Sequence, residues 1–286
     1  MPLLVSPAEL AELLASAAPP RLLDVRWTLA VPDGRPAYRA GHLPGAVYVD
    51  LDTELARHGA PTDGRHPLPT PADLQAAARR WGLREGDTVV VYDDGGNLAA
   101  ARAWWLLRNA GLSDVRILDG ALAAWRTAGL PLATGDEVPE PGDITLQDGA
   151  LPVLDLDGAA AYPEGGVLLD VRAAERYRGE TEPIDPRAGH IPGAVNAPTG
   201  ENLDADGRFL DVEALRRRFG ALGLQPGDEV GVYCGSGVTA SHTAAALTLA
   251  GYRPALFPGS WSQWSNQSDR PVAVGPTPHT PAPRTP

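Results

Sequence analysis

Residues 229–242 read EVGVYCGSGVTASH, and this stretch decides the fold. The apolar run that ends at Tyr233 predicts a buried strand, and the small and apolar residues that follow Gly237 predict a helix. Cys234 is therefore expected at the C-terminal end of a strand, facing the N-terminus of a helix. That is the crevice in which open α/β sheets bind ligands.

The same pattern occurs earlier in the chain. Residues 86–92 read GDTVVVY, and residues 227–233 read GDEVGVY. Three more blocks recur in the same order: LLDVR at 22–26 and 168–172, AGHLPGAV at 40–47 with AGHIPGAV at 188–195, and LDG at 118–120 with FPG at 257–259. Two large copies indicate a duplicated domain, not a solenoid.

Within each copy, short apolar runs alternate with helical patterns. We predict buried strands over Arg21–Val25, Val89–Tyr92 and Arg116–Leu118. Three helix starts are marked by a side chain that can cap the first turn: Ser6, Thr70 and Asp211. The alternation predicts an α/β fold in which each domain has a mostly parallel sheet flanked by helices.

Composition suggests the boundaries. We expect one domain over residues 1–135, a linker rich in proline, glycine and acidic residues over 136–150, and a second domain over 151–274. The Pro/Thr-rich residues 275–286 have nothing to bury, so we expect a disordered tail.

Charge narrows the choice of partners. The net charge is −12, and the 24 basic residues are all arginine. Such a chain is repelled by phosphate backbones and by anionic lipid, so we expect neither nucleic acid nor membrane as a partner. Nothing in the sequence indicates a metal or an organic cofactor.

The single cysteine excludes an intrachain disulfide and a thiolate metal cluster. A reducing cytoplasm fits a lone thiol. Residues 1–21 lack the cationic and apolar regions of a signal peptide, and no apolar run reaches ~18 residues, so we expect a cytoplasmic protein without a membrane span.

The chemistry expected at Cys234 follows from its loop. Gly235 and Gly237 let the chain curl so that main-chain N–H groups point inward, and these groups together with the helix dipole stabilise an anion. Cys234 would then be a thiolate nucleophile, although free cysteines are also common as small buried hydrophobes. In the first copy the matching residue is Asp93, which cannot attack as a thiolate does, so we expect that domain to be catalytically silent.

These motifs resemble the tandem rhodanese family over about residues 5–272. The loop over residues 234–240 resembles that of the branch that uses 3-mercaptopyruvate, because the thiosulfate-using branch typically has basic residues directly after the cysteine. The resemblance implies a sulfurtransferase in which Cys234 carries sulfur as a persulfide.

The resemblance also implies the site residues. Arg176 matches the family's anion-binding arginine, and Arg187 lies in the segment of a second one. Ser236, His66 and Asp52 match a relay that would deliver a proton to the leaving pyruvate enolate. The loop residues expected to surround the substrate are Gly235, Gly237, Val238 and Thr239.

The implied partners are a small-molecule sulfur donor, either 3-mercaptopyruvate or thiosulfate, and an external acceptor. Cyanide, a small thiol or a thioredoxin-like dithiol would serve as acceptor, because the chain has no second cysteine. Two alternatives remain open. One is a non-catalytic sulfur carrier or binding module. The other is a cysteine phosphatase on the same fold. Ala240 argues against it, because such an enzyme has arginine at this position.

The repeated turns also contain His42 and His190. Because they occur in the active and the silent copy alike, we expect them to be structural, and the same holds for the Asp24/Arg26 and Asp170/Arg172 pairs.

Overall fold

The computed structural model describes residues 2–147 and 149–277, and the chain divides into two compact units. The first unit contains residues 2–57, Leu68–Leu151 and Leu203–Phe209. The second contains His58–Pro67, Pro152–Asn202 and the described residues from Leu210 onward. Each unit therefore includes a short segment that is remote in sequence from the rest of it.

The described part of the first unit has a five-stranded sheet of order β1-β5-β4-β2-β3 in which every pair is parallel. Its elements are β1 (Leu4–Val5), α1 (Pro7–Leu14), β2 (Arg21–Asp24), α2 (Arg35–Ala40), β3 (Ala46–Tyr48), α3 (Leu51–Glu54), α4 (Pro71–Arg80), β4 (Val89–Tyr92), α5 (Ala100–Asn109), β5 (Val115–Leu118) and α6 (Ala121–Thr127).

The described part of the second unit has a four-stranded parallel sheet of order β7-β6-β8-β9. Its elements are α7 (Leu156–Ala161), β6 (Val167–Asp170), α8 (Ala174–Tyr177), β7 (Val195–Asn196), α9 (Val212–Gly220), β8 (Glu229–Tyr233), α10 (Val238–Ala250), β9 (Arg253–Leu256) and α11 (Ser260–Ser265), with 3-10 turns at Pro61–Asp63, Tyr162–Glu164 and Thr199–Asn202.

The predicted duplication is confirmed in the register of the sheets. Asp24 of β2 pairs with Tyr92 of β4, and the equivalent Asp170 of β6 pairs with Tyr233 of β8. The three predicted strands are present, with differences of one residue at their ends. The α/β fold with parallel sheets is thus confirmed.

The three predicted helix caps are also present. The side chain of Ser6 accepts a hydrogen bond from the N–H of Glu9 in a capping box, and the side chains of Thr70 and Asp211 cap α4 and α9 in the same way. Each cap satisfies a main-chain donor that the first turn of a helix leaves unpaired.

The histidines of the repeated turn stabilise both units identically. Nδ1 of His42 lies 2.9 Å from the carbonyl oxygen of Tyr38, and Nδ1 of His190 lies 2.8 Å from that of Tyr177. Each imidazole stacks on the ring of the same tyrosine. The structural role predicted for these histidines is confirmed.

The Asp/Arg pairs also bind the backbone of the same turns. Arg26 donates to Asp24 and to the carbonyl of Gly41, and Arg172 donates to Asp170 and to the carbonyl of Gly189. All four charged side chains are buried. Such pairs are expected to be structural because loss of one partner leaves a buried charge unpaired.

The expected linker over 136–150 belongs to the first unit. The N–H of Gly142 donates to the carbonyl of Arg79, the N–H of Gln147 donates to that of Ala110, and Ile144 is buried. The division between the units falls at Leu151 and Pro152, and the stretch before it is docked on the first unit through its backbone and Ile144.

The expected tail begins with a docked residue, since the N–H of Gly275 donates to the carbonyl of Arg178. Residues 278–286 of that tail lie outside the described residues.

Candidate active site

Cys234 lies directly after β8, and Gly237 precedes the first turn of α10. The thiol is 2% exposed, but its neighbours are polar. The N–H of Gly237 donates to Sγ of Cys234 over 3.1 Å, and Oγ of Ser260 lies 4.0 Å from the same sulfur. A main-chain donor aimed at the sulfur argues against a cysteine that merely fills space.

Gly237 cannot be replaced without distorting this loop. Its φ of +81° lies in the left-handed region, and a methyl group on its Cα would lie 2.4 Å from the carbonyl oxygen of Pro258. Val238 is buried in the first turn of α10, and Thr239 follows it there, so both predicted loop residues belong to the helix that faces the thiol.

Ser260 positions the nucleophile from the opposite side. Its Oγ accepts the N–H of Cys234 at 3.1 Å and donates to the carbonyl of Phe257 at 2.9 Å. Its φ of +53° is a strained value for a residue with a side chain. Strain of this kind is maintained only where surrounding contacts hold the residue in place. Here the contacts are the hydrogen bonds of Ser260 with the N–H of Cys234 and the carbonyl of Phe257.

Two guanidinium groups lie beside Gly235. A methyl group on its Cα would lie 3.4 Å from Nη2 of Arg65 and 3.5 Å from Nη1 of Arg176. The cysteine loop and the two guanidinium edges therefore lie within van der Waals reach of one point at Gly235. Arg176, predicted as an anion-binding residue, is placed at the loop. Arg65 was not predicted.

His66 and Ser236 are brought together in the second unit. Nδ1 of His66 lies 2.8 Å from Oγ of Ser236, and both residues are buried. His66 reaches this position because segment His58–Pro67 is part of that unit. Asp52 lies in α3 of the first unit, where its Oδ1 accepts the indole N–H of Trp27 at 3.0 Å. Participation of Asp52 in the relay stays a prediction.

Arg187 has a different role from the predicted one. Four of its N–H groups donate to carbonyl oxygens at and after the end of α11, those of Trp264, Ser265, Gln267 and Arg270. Because these contacts occupy most of the guanidinium and satisfy helix-terminal carbonyls, we assign Arg187 to the scaffold and no longer to substrate binding.

The equivalent loop of the first unit is filled by a carboxyl group of its own. The carboxylate of Asp93 accepts the N–H groups of four residues, Gly95, Asn97, Ala99 and Ala100, over 2.7–3.0 Å. Burial raises the pKa of Asp93, while these donors act in the opposite direction. A side chain that fills the loop from inside explains physically why this copy is expected to be silent.

Sequence reasoning missed Arg65 and Ser260. Ser260 had a signal, because the repeat places Ala121 at the matching position, so the hydroxyl is specific to the copy that has the cysteine. Arg65 had none in the repeat, since it belongs to a segment remote from the second copy. Its side chain is found at the loop only once the chain is folded.

The fold and the site define a class: a duplicated α/β domain in which one copy holds a buried cysteine between a strand and a helix. The chain belongs to the rhodanese family, since the rhodanese-like domain matches residues 6–128 and again 155–267.

Relatives agree over nearly the whole chain. A putative thiosulfate sulfurtransferase, SseB, of Mycobacterium tuberculosis is 50% identical over 95% of this chain and 97% of its own. A probable 3-mercaptopyruvate sulfurtransferase of Pseudomonas aeruginosa is also 50% identical, over 89% of this chain and 92% of its own. The crystal structure of SseA from Escherichia coli, described as a 3-mercaptopyruvate sulfotransferase, has a TM-score of 0.80 and 31% identity, covering 91% of this chain and 99% of that one.

In the part of the chain that the structure describes, every helix is too short or too polar to cross a bilayer.

Proposed function

We propose that this protein is a sulfurtransferase that moves sulfane sulfur from 3-mercaptopyruvate, or from thiosulfate, through a persulfide on Cys234 to an external acceptor. The observation that carries the proposal is the N–H of Gly237 aimed at Sγ of Cys234, beside two guanidinium edges at Gly235. The first feature directs a main-chain donor at the attacking sulfur, and the second would bind the carboxylate of an anionic donor.

In the first half-reaction the thiolate of Cys234 attacks the sulfur of the donor. The bond between this sulfur and C3 of mercaptopyruvate breaks, its electron pair passes to the enolate of pyruvate, and a persulfide is left on the cysteine. The enolate then needs one proton at C3. The hydroxyl of Ser236, hydrogen-bonded to His66, is the group we assign to that transfer.

In the second half-reaction a nucleophilic acceptor attacks the outer sulfur and releases the thiolate of Cys234. Cyanide would leave as thiocyanate, and a dithiol of the thioredoxin type would leave as a disulfide with release of sulfide. An external acceptor is required because the chain has a single cysteine. Neither nucleic acid nor membrane is part of this proposal.

A phosphatase is disfavoured by Ala240, which is buried in α10 where the fork of an arginine would be needed. No observed feature favours a pure sulfur carrier over an enzyme. The Ser236–His66 hydrogen bond favours the enzyme, because a carrier does not need it.

The donor is tested by steady-state kinetics. We expect turnover of both donors with cyanide, a higher kcat/KM for 3-mercaptopyruvate, and none with Cys234→Ser. Turnover that survives Cys234→Ser would contradict the proposal, and persulfide formation without turnover would support the carrier.

We also infer a cytoplasmic location, which is supported by the lone thiol because such a residue needs a reducing compartment to stay reduced. Fractionation of the source cells tests it, and recovery outside the cytoplasm would contradict it.

A further inference from the structure

A pair of buried carboxylates holds the two guanidinium groups at the cysteine loop. Oδ1 of Asp185 accepts Nη1 of Arg65 at 2.9 Å, and Oδ2 of the same carboxylate lies 3.3 Å from Nη2 of Arg176. Glu182 accepts Nη2 of Arg176 at 2.6 Å and Nε at 3.3 Å. We call these four residues the arginine–carboxylate cluster.

The carboxylates take one edge of each guanidinium and leave the other toward the loop. Asp185 binds Nη1 of Arg65, while Nη2 of that arginine is the nitrogen near Gly235. Glu182 and Asp185 bind Nε and Nη2 of Arg176, while Nη1 is the nitrogen near Gly235. The acids therefore orient the two guanidinium edges that face Gly235.

The two acids are themselves fixed. Their side chains are each 3% exposed. The N–H of Asp185 donates to Oε1 of Glu182 at 3.1 Å, and Oε2 of Glu182 lies 3.3 Å from Nη1 of Arg172. Arg172 is already paired with Asp170, so it adds no net charge to the cluster.

The charge count has a consequence for specificity. Two guanidinium groups and two carboxylates make the cluster neutral, so it offers directed N–H donors to an anion without an excess of positive charge. A sulfur substrate with one negative charge is satisfied by these N–H groups. A dianionic substrate brings a second charge that nothing in the cluster neutralises.

From this geometry we propose that Asp185 and Glu182 are specificity-determining residues that favour a monoanionic donor, such as 3-mercaptopyruvate, over dianionic thiosulfate. The proposal rests on the proposed function. It gives these acids a positioning and charge-balancing role, since they act on the substrate through Arg65 and Arg176.

Asp185→Asn keeps the size of the side chain and removes its charge. We expect the ratio of kcat/KM for thiosulfate to that for 3-mercaptopyruvate to rise by on the order of tenfold, because a unit charge within a few ångströms of the substrate is removed from a buried site. Glu182→Gln is expected to raise the ratio as well, so the test survives if one variant fails to fold. Glu180→Gln is the matched control: it makes the same charge change in the same loop, but in an exposed pair with Arg178, and is expected to leave the ratio unchanged.

A second measurement does not depend on sulfur transfer. We compare the rate at which anionic iodoacetate alkylates Cys234 with the rate for neutral iodoacetamide. Because both reagents react with the same sulfur, the quotient of the two rates reports the charge around it. Asp185→Asn is expected to raise this quotient several-fold, whereas Asp185→Glu is expected to restore the wild-type quotient.

The outcomes separate the two proposals. If the wild-type protein turns over neither donor while Asp185→Asn changes the alkylation quotient as expected, the proposed function is rejected and only the charge-balancing role of the acids is kept. If the donor ratio and the alkylation quotient are the same in wild type, Asp185→Asn and Glu182→Gln, the inference is overturned. It is also overturned if both quantities change equally in Glu180→Gln.

Discussion

Nδ1 of His66 and Oγ of Ser236 lie 2.8 Å apart, although the two residues are separated by 170 positions in the sequence. Both are buried, and His66 reaches the cysteine loop because segment His58–Pro67 is part of the second unit. A side chain from the first sequence repeat thus lies next to the residue two positions after the nucleophile.

This hydrogen bond predicts how mutations at the two positions combine. We expect Ser236→Ala and His66→Ala each to lower kcat for 3-mercaptopyruvate by about 10²-fold, because each removes the proton donor path to the enolate. The double variant is expected to be little worse than either single one, since residues that act as a unit are not additive. Thiosulfate releases sulfite, which needs no proton at carbon, so its kcat is expected to change less. Additive losses, or equal losses with both donors, would argue against a relay.

Ser260 offers a test of how the nucleophile is positioned. We expect Ser260→Ala to fold, because Ala121 adopts a similar positive φ at the matching position of the first unit. Persulfide formation is expected to slow by about tenfold, since the N–H of Cys234 loses its acceptor, worth about 1–3 kcal/mol. Single-turnover kinetics measures this rate. A wild-type rate would mean that the serine is dispensable for the loop.

The two arginines at Gly235 are expected to contribute to donor binding in the same way. Arg65→Ala and Arg176→Ala should each lower kcat/KM by about 10- to 100-fold, the loss of one charge-assisted contact. Arg178→Ala is the control, because its side chain pairs with Glu180 on the surface, and a change below about twofold is expected there. Equal effects of all three variants would indicate a general charge effect and not binding.

Asp93 is expected to matter for stability and not for catalysis. Asp93→Ala leaves four main-chain N–H groups without their acceptor, so we expect the free energy of unfolding to fall by about 2–4 kcal/mol. Denaturant titration of the whole chain measures this, and kcat with 3-mercaptopyruvate is expected to persist. A large loss of kcat at full stability would show that the first copy takes part in the reaction.

The residues that sequence predicted well are those governed by local rules. The caps at Ser6 and Asp211, the strand that ends at Tyr233, and the loop at Cys234 all follow from periodicity, glycine placement and capping chemistry. The duplication also separated structural histidines from functional ones, because a feature shared with the copy that has Asp93 in place of the cysteine needs no catalytic explanation.

The predictions that failed depend on tertiary contacts. Arg187 was assigned to substrate because of its place in the sequence, but its guanidinium binds the carbonyls after α11. The stretch 136–150 has the composition of a linker, yet burial of Ile144 docks it on the first unit. Arg65 escaped notice because nothing in its neighbours reveals that Asp185 orients it toward Gly235.

The measurement that tests the account most directly is the intact mass of the protein after brief treatment with 3-mercaptopyruvate, followed by removal of the donor. We predict a gain of one sulfur atom located on Cys234, its loss on addition of cyanide, and no gain in Cys234→Ser. An unchanged wild-type mass, or a gain that persists in Cys234→Ser, would contradict the account.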